Sequence, residues 1–186
     1  MGDTDEEKSL VLQSRNGDLT AFEALIRAHQ RMIHALTFRM TGSMADAEDL
    51  AQEAFIRAYQ QLDSYQGAAK FSSWLYRIAV NVCLNWHQRE RRREQAYTRW
   101  AESNDALQSG PESPADGDAR GREVQAVLMK LPAKQRAAVV LTVYDGHNHA
   151  AAAKILGCSE TTVSWRVFAA RRKLKRLLSA KGGRDE

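Results

Sequence analysis

The chain has 186 residues, 44% of them apolar and 27% charged, with a formal net charge of +4. This balance excludes a chain too polar to bury a core, and no run approaches the ~18 consecutive apolar residues of a membrane-spanning helix. The two cysteines, Cys83 and Cys158, lie far apart inside helical patterns. A disulfide framework is therefore not expected, and a reducing cytoplasm is the simplest setting.

The opening residues, MGDTDEEKSL, are acidic and lack an apolar leader core, so no signal peptide is expected. A short first helix is broken at Gly17 and Asp18. Phe22, Leu25, Ile26, His29, Ile33 and Leu36 then recur close to helical spacing. Thr41, Gly42 and Ser43 end that helix, with Ser43 a candidate N-cap for the next. The third helix continues to about Leu62, with Leu50, Ala54 and Phe55 on its inner side. The stretch DSYQGAAK reads as a loop.

From Phe71 to Arg93 a long helix shows two faces. Phe71, Trp74, Leu75, Ile78, Ala79, Val82 and Trp86 fall at offsets of three and four and make the expected core stripe. Ser73, Arg77, Asn81, Asn85 and Arg89 recur every four residues as a polar ridge. Asn and Arg can each offer paired hydrogen bonds to a base or a phosphate. In the preceding loop, Tyr65 could stack an unpaired base and Gly67 allows close backbone approach. By residue type alone, an ordinary exposed face and turn is an equally good account.

Between Ala101 and Ala119 there is no Lys or Arg, and two of the three prolines fall there. With Ser, Asp and Glu filling the rest and no apolar periodicity, this reads as a flexible acidic linker. The expected division is an N-terminal module at 1–96, a linker at 97–121 and a C-terminal module at 122–186.

The second module begins with Val124, Val127, Leu128 and Leu131, closed by Pro132. A helix from Ala133 to about Tyr144 is stopped by Asp145 and Gly146, and a short Ala-rich helix runs to Leu156. After a Gly157–Cys158 turn, Ser159 opens a long final helix with Val163, Val167, Ala170, Leu174 and Leu177 as its buried stripe. Turn length and spacing match a helix–turn–helix, whose second helix enters the major groove N-terminus first. Thr161, Ser164, Trp165 and Phe168 would then face base edges or thymine methyls, with Thr162 beside them in the first turn. Arg166, Arg171, Arg172 and Lys175 would meet phosphates, which position without specifying. A helical hairpin with a basic solvated end is the plainer alternative.

The fold class is thus all-α: two small helical modules joined by a flexible acidic linker, the second a helix–turn–helix. No metal or cofactor is expected. His147 and His149 point apart at a helix start, with no fourth ligand at a zinc-like spacing beside Cys158, and read as capping or surface histidines. No phosphate-cradling glycine loop or nucleophile constellation argues for an enzyme.

DAEDLAQEAFIRAYQQLDSYQ followed by FSSWLYRIAVNVCLNWHQRERRR resembles the region-two module of bacterial sigma factors of the extracytoplasmic-function (ECF) class. LPAKQRAAVVLTVYDG and AAAKILGCSETTVSWRVFAARRKLKRL resemble their region-four module, in the same order and across nearly the whole chain. The resemblance implies an alternative sigma factor that directs core RNA polymerase to chosen promoters. It places binding to the β′ clamp helices on Asp46, Glu48, Asp49, Gln52, Glu53 and Phe55. It places capture of the melted −10 element on Tyr65, Gly67, Lys70, Phe71, Ser73, Arg77, Asn81 and Asn85, with Arg89, Arg91, Arg92 and Arg93 on nearby phosphates. Region four implies reading of the −35 element and docking on the β flap, and the family implies sequestration by an anti-sigma factor. Two departures stand out: Ser164 and Ala169 occupy positions where the family often has Arg, and Trp165 one where a small polar residue is common. A stand-alone regulator with a sensor module, or a sigma-like decoy, are the alternative readings.

Overall fold

The computed structural model describes residues 5–104 and 119–182, which form helices with no strand among them. Helix α1 spans Asp5–Arg15 and α2 spans Leu19–Thr41. Asp18 starts α2 because its carboxylate accepts the Thr20 and Ala21 backbone N–H groups at 2.9 and 3.2 Å. Gly42 ends it at φ 77°, its N–H donating to the Phe38 carbonyl at 2.8 Å. The positive φ favours glycine here, and a Cβ at Gly42 would also meet the flexible Met129 side chain at 3.0 Å and push it aside. Ser43 caps α3 (Met44–Gln60) as the sequence indicates, accepting from the Asp46 N–H at 3.3 Å.

Helix α4 spans Phe71–Asn104 and runs past the expected module end at residue 96. Its tail has no Gly or Pro, and Glu94, Gln95, Ala96 and Arg99 all favour helix, so nothing stops it there. The remainder of the expected linker lies largely outside the described residues. Helix α5 spans Ala119–Met129, beginning inside the range assigned to the linker.

Helix α6 (Ala133–Val139) does not continue as α-helix to Tyr144. It widens into a π-helical turn over Val140–Tyr144, with the Asp145 N–H bonded to the Val140 carbonyl at 3.0 Å. From Arg136 to Leu141, across the junction of α6 and this turn, every residue is buried, a run of six that regular α-periodicity does not place on one narrow face. Helix α7 spans His149–Leu156 and α8 spans Glu160–Gly182.

The core is built around α4, which packs on α2, α3 and α7. One continuous apolar cluster takes residues from both modules, including Leu25, Ile33, Leu36, Leu75 and Val82 with Val140, Leu141, Ile155 and Val163. Burial on α4 is therefore wider than the single expected stripe. Tyr76, Val80 and Cys83 are buried as well, whereas Trp74 and Trp86 are only partly covered. Burial pushes the Cys83 thiol up to about 12, so it stays protonated and unreactive at neutral pH. No described helix is long and apolar enough to cross a membrane.

The seam between modules is polar as well as apolar. Arg136, on α6, is 4% exposed, and its guanidinium donates to the carbonyls of Leu128, Met129 and Leu131 at 3.0, 2.8 and 3.0 Å. It also donates to the Met40 carbonyl near the C-terminal end of α2. One cation thus satisfies carbonyls at the ends of helices from both modules, where helix dipoles favour positive charge. Gln125 adds a hydrogen bond to the Phe38 carbonyl at 3.0 Å. Arg39 pairs with Asp145 at 3.5 Å, and the His147 ring meets Tyr76 edge-on with centroids 5.0 Å apart.

Candidate nucleic-acid interface

The polar ridge of α4 survives folding. Arg77, Asn81, Asn85 and Arg89 are exposed, and Ser73 is half-buried, while Leu75, Ile78, Ala79, Val82 and Cys83 between them are buried in the core. The ridge is thus carried on a helix immobilised by packing from three neighbours, which keeps its hydrogen-bonding groups in fixed register. Arg89 is drawn towards α3 by Glu53, whose carboxylate lies 3.7 Å from Arg89 and 2.6 Å from Arg57. Arg93 pairs with Glu90 at 3.0 Å, while Arg91 and Arg92 are exposed.

The loop before α4 differs from the expectation. Tyr65 is 7% exposed and Phe71 1%, so neither ring is available to stack a base in this conformation. The Tyr65 hydroxyl donates to the Ala69 carbonyl at 2.7 Å, and its ring lies edge-on to Phe71 with centroids 5.5 Å apart. Arg15 reinforces the loop from α1 by donating to the Leu62 carbonyl at 3.1 Å and to that of Tyr65. The aromatic residues are the loop's internal scaffold. Gly67, at φ 73°, and Lys70 remain exposed above it.

A cleft beside the ridge is shared between modules. Lys70, Ser73 and Arg77 line one wall, and His147, Asn148 and Lys154 line the other. His147 is no surface histidine: burial lowers its pKa, partly opposed by Asp145, while Asn148 is the residue that caps α7. Burial in turn raises the Asp145 carboxyl, with Arg39 pulling it back.

The acidic residues of α3 do not share one face. Glu48, Asp49 and Gln52 flank a groove between α2 and α3 whose walls are Leu19, Phe22, Ile26, Phe55, Ile56 and Tyr59. Asp46 instead lies in a pocket with Trp86, His87 and Arg136, and Glu53 is held by Arg57 and Arg89. Phe55 is 8% exposed and forms the groove floor from within the core. The sequence reading missed Ile56 and Tyr59, although with Asp49 and Gln52 they follow the helical offsets 3, 4, 3. Ile56 is 52% exposed, which periodicity in charge alone does not reveal.

The helix–turn–helix forms from local signals. Gly157 takes φ 60° to close α7, and Ser159 accepts the Thr162 N–H at 3.2 Å to start α8. Val163, Val167 and Ala170 are buried, whereas Leu174 and Leu177 are only partly covered. Thr161, Ser164, Trp165, Phe168, Arg171, Arg172 and Lys175 are exposed. Arg166 departs from its expected place on phosphate: it is half-buried and reaches back to the turn, 3.5 Å from the Cys158 sulfur. Thr162 is half-buried with its hydroxyl 2.9 Å from that of Ser159.

Two family models match these two sites: Sigma-70 region 2 over residues 25–93 and Sigma-70 region 4 over residues 121–174. The ECF RNA polymerase sigma factor SigW of Bacillus subtilis is 35% identical over 182 residues, covering 92% of this chain and 96% of its own. The chain belongs to the ECF sigma factors. The ECF sigma-E factor of Escherichia coli is likewise 35% identical over 173 residues, covering 89% of this chain and 90% of its own. Among solved structures, CnrH in complex with the cytosolic domain of CnrY superposes with a TM-score of 0.67 at 26% identity, covering 94% of this chain and 98% of that one. The sigma factor RpoE in complex with the anti-sigma factor NepR from Bartonella quintana gives 0.65 at 27% identity, covering 85% of this chain and 96% of that one.

Proposed function

We propose that this sigma factor directs core RNA polymerase to promoters by using α4 on the −10 element and α8 on the −35 element. The observation that carries this is the exposed ridge Arg77, Asn81, Asn85 and Arg89 on a helix otherwise fixed in the core. Capturing a base from a duplex costs a few kcal/mol of unstacking, so the single strand must find pre-positioned partners. The ridge provides such groups, with Ser73, Lys70 and Gly67 at its N-terminal end and Arg89 and Arg91–Arg93 towards phosphates. Tyr65 and Phe71 act by holding the loop.

Polymerase binding falls to the groove between α2 and α3. Ile56, Tyr59 and Leu19 offer apolar contact, while Glu48, Asp49 and Gln52 form a rim suited to a basic helix of the clamp. The sigma factor performs no bond chemistry itself; that belongs to the polymerase it equips in the cytoplasm. The likeness to CnrH in complex with the cytosolic domain of CnrY, and to RpoE in complex with the anti-sigma factor NepR, supports sequestration by an anti-sigma factor.

The compact arrangement sets an order of events. Elements named −10 and −35 are centred about 85 Å apart at 3.4 Å per base pair, while a compact chain of this length has a radius of gyration of about 16 Å. Both cannot be engaged with the Arg136 seam closed, so the modules separate on polymerase. The test is co-purification with core polymerase, followed by run-off transcription from a genomic library. New start sites with paired upstream elements are expected. Absence of both core binding and new starts refutes the proposal, and duplex binding without polymerase, by a dimer, favours a stand-alone regulator.

A further inference from the structure

This inference rests on the proposed −35 role of α8 and concerns what that helix recognises. Thr161, Trp165, Phe168 and Arg172 follow offsets of 4, 3 and 4 and form one stripe along α8. Trp165 is 62% exposed and Phe168 60%, the most exposed of the large aromatic side chains on the described surface. Aromatic rings left in water on a helix bordered by Arg171, Arg172, Lys175 and Arg176 call for a partner that is both anionic and locally apolar.

The neighbouring hydrogen-bonding groups are already engaged. The Ser164 hydroxyl lies 2.8 Å from His149 Nδ1 on α7, which ties it to the preceding helix. Arg166 turns back to Cys158, and the Thr162 hydroxyl faces Ser159. The Arg172 guanidinium sits over the Phe168 ring, 5.9 Å from its centroid, bracing the ring while leaving N–H groups for phosphate. At the centre of the stripe the Trp165 indole N–H is a single side-chain donor beside two apolar ring faces, so apolar surface outweighs hydrogen-bonding groups there.

In the major groove the apolar feature that distinguishes one base is the C5 methyl group of thymine. We propose that α8 recognises the −35 element chiefly through thymine methyl groups packed against Trp165 and Phe168. Arg171, Arg172 and Lys175 hold the flanking phosphates. The preferred element is correspondingly rich in thymine at the two positions these rings cover.

The test uses full-length sigma factor bound to core polymerase. Duplexes with a randomised upstream element are selected by this holoenzyme. Each thymine of the selected element is then replaced singly by deoxyuridine, which removes only the methyl. At one or two positions affinity is expected to fall about fourfold per methyl, the effect of one buried carbon. In Trp165→Ala and Phe168→Ala, binding to the parent duplex falls and the thymine–uridine difference disappears at the matching position. Both side chains are exposed, so folding is retained, and an unchanged thermal midpoint checks this. Equal binding of all uridine duplexes overturns methyl recognition while leaving −35 binding intact. Variants that lose transcription yet keep the thymine–uridine difference also overturn it, because the rings then meet protein. If no upstream element is enriched at all, the −35 role itself fails and the inference with it.

Discussion

Helices α4 and α8 both present a surface proposed to meet DNA, but they are built in opposite ways. Between Phe71 and Arg89, three packed neighbours leave Arg77, Asn81, Asn85, Gln88 and Arg89 of α4 exposed, a ridge of Arg and amide side chains. On α8 the buried stripe is Val163, Val167 and Ala170, and the outward face shows Trp165 and Phe168 between basic residues. The difference suits two states of one polymer. A melted strand exposes base edges that need paired hydrogen bonds, whereas an intact duplex offers phosphates and methyl groups in its groove. It also separates the roles of scaffold and reader: beneath the α4 ridge Phe71 and Tyr76 are buried, whereas on α8 Trp165 and Phe168 are exposed.

The strongest way to break this comparison is at the seam that joins the two helices' modules. Arg136→Met leaves the Leu128, Met129, Leu131 and Met40 carbonyls buried without their donor. A loss of about 3–5 kcal/mol is expected, because several buried carbonyls lose their donor at about 1–3 kcal/mol each, partly relieved by relaxation. Thermal unfolding would register it as a Tm lower by roughly 10 °C, or as a split into two transitions. A variant as stable as the parent would show that the seam contributes little.

The next effect sharpens the contrast in chemistry. Asn81→Ala combined with Asn85→Ala is expected to leave stability unchanged or slightly raised, because both positions are exposed and Ala favours helix. Open-complex formation, followed by permanganate reactivity of unpaired thymines, should fall tenfold or more, at about 1–3 kcal/mol per paired contact. Polymerase binding should persist. Normal melting by the double variant would remove α4's ridge from the −10 role.

A smaller effect tests whether the groove is separate from both DNA faces. Ile56→Glu adds a charge to a side chain already 52% exposed, so folding should survive. Affinity for core polymerase is expected to weaken by roughly 1–2 kcal/mol, typical of an interface anchor. Titration of labelled sigma factor with core enzyme measures it, and an unchanged affinity would move the contact elsewhere.

The smallest effect is a pH dependence at the seam. His87 Nε2 lies 2.7 Å from the Met40 carbonyl and 3.0 Å from Arg136 Nη1. Burial first, and Arg136 second, lower its pKa below the ordinary 6.5. As pH falls through about 6.5 the unfolded chain takes up this proton before the folded one, so stability declines on acidification. His147 shifts in the same direction, while Asp145, raised by burial, acts oppositely at lower pH. Asp46, Glu90, Arg91, Glu94, Lys130, Arg136 and Lys173 share the His87 pocket. Comparison with His87→Gln therefore isolates the imidazole, and denaturant midpoints between pH 7.5 and 5.5 should fall less steeply in the variant. Parallel curves would assign the dependence to other groups.

Much of this molecule was legible in its sequence. The Ser43 and Ser159 caps and the Gly42 and Gly157 stops act through neighbouring backbone, so they read correctly without knowledge of the fold. Periodicity likewise separated the α4 ridge from its core side and Trp165 and Phe168 from Val163 and Val167. These are properties of one helix, set by 3.6 residues per turn.

What tertiary structure alone decided is which faces become covered, and by what. Tyr65, expected to stack a base, is buried because Phe71, Trp74 and the Ala69 carbonyl close around it. The acids of α3 divided because α2 forms a groove on one side and α4 supplies Arg89 on the other. Arg136 carries no signal in its neighbourhood of Lys134 and Gln135. It is buried because the ends of α2 and α5, distant in sequence, bring their unsatisfied carbonyls to one point. Spacing along a helix fixes which side chains travel together; only the meeting of several helices determines which of them leave water.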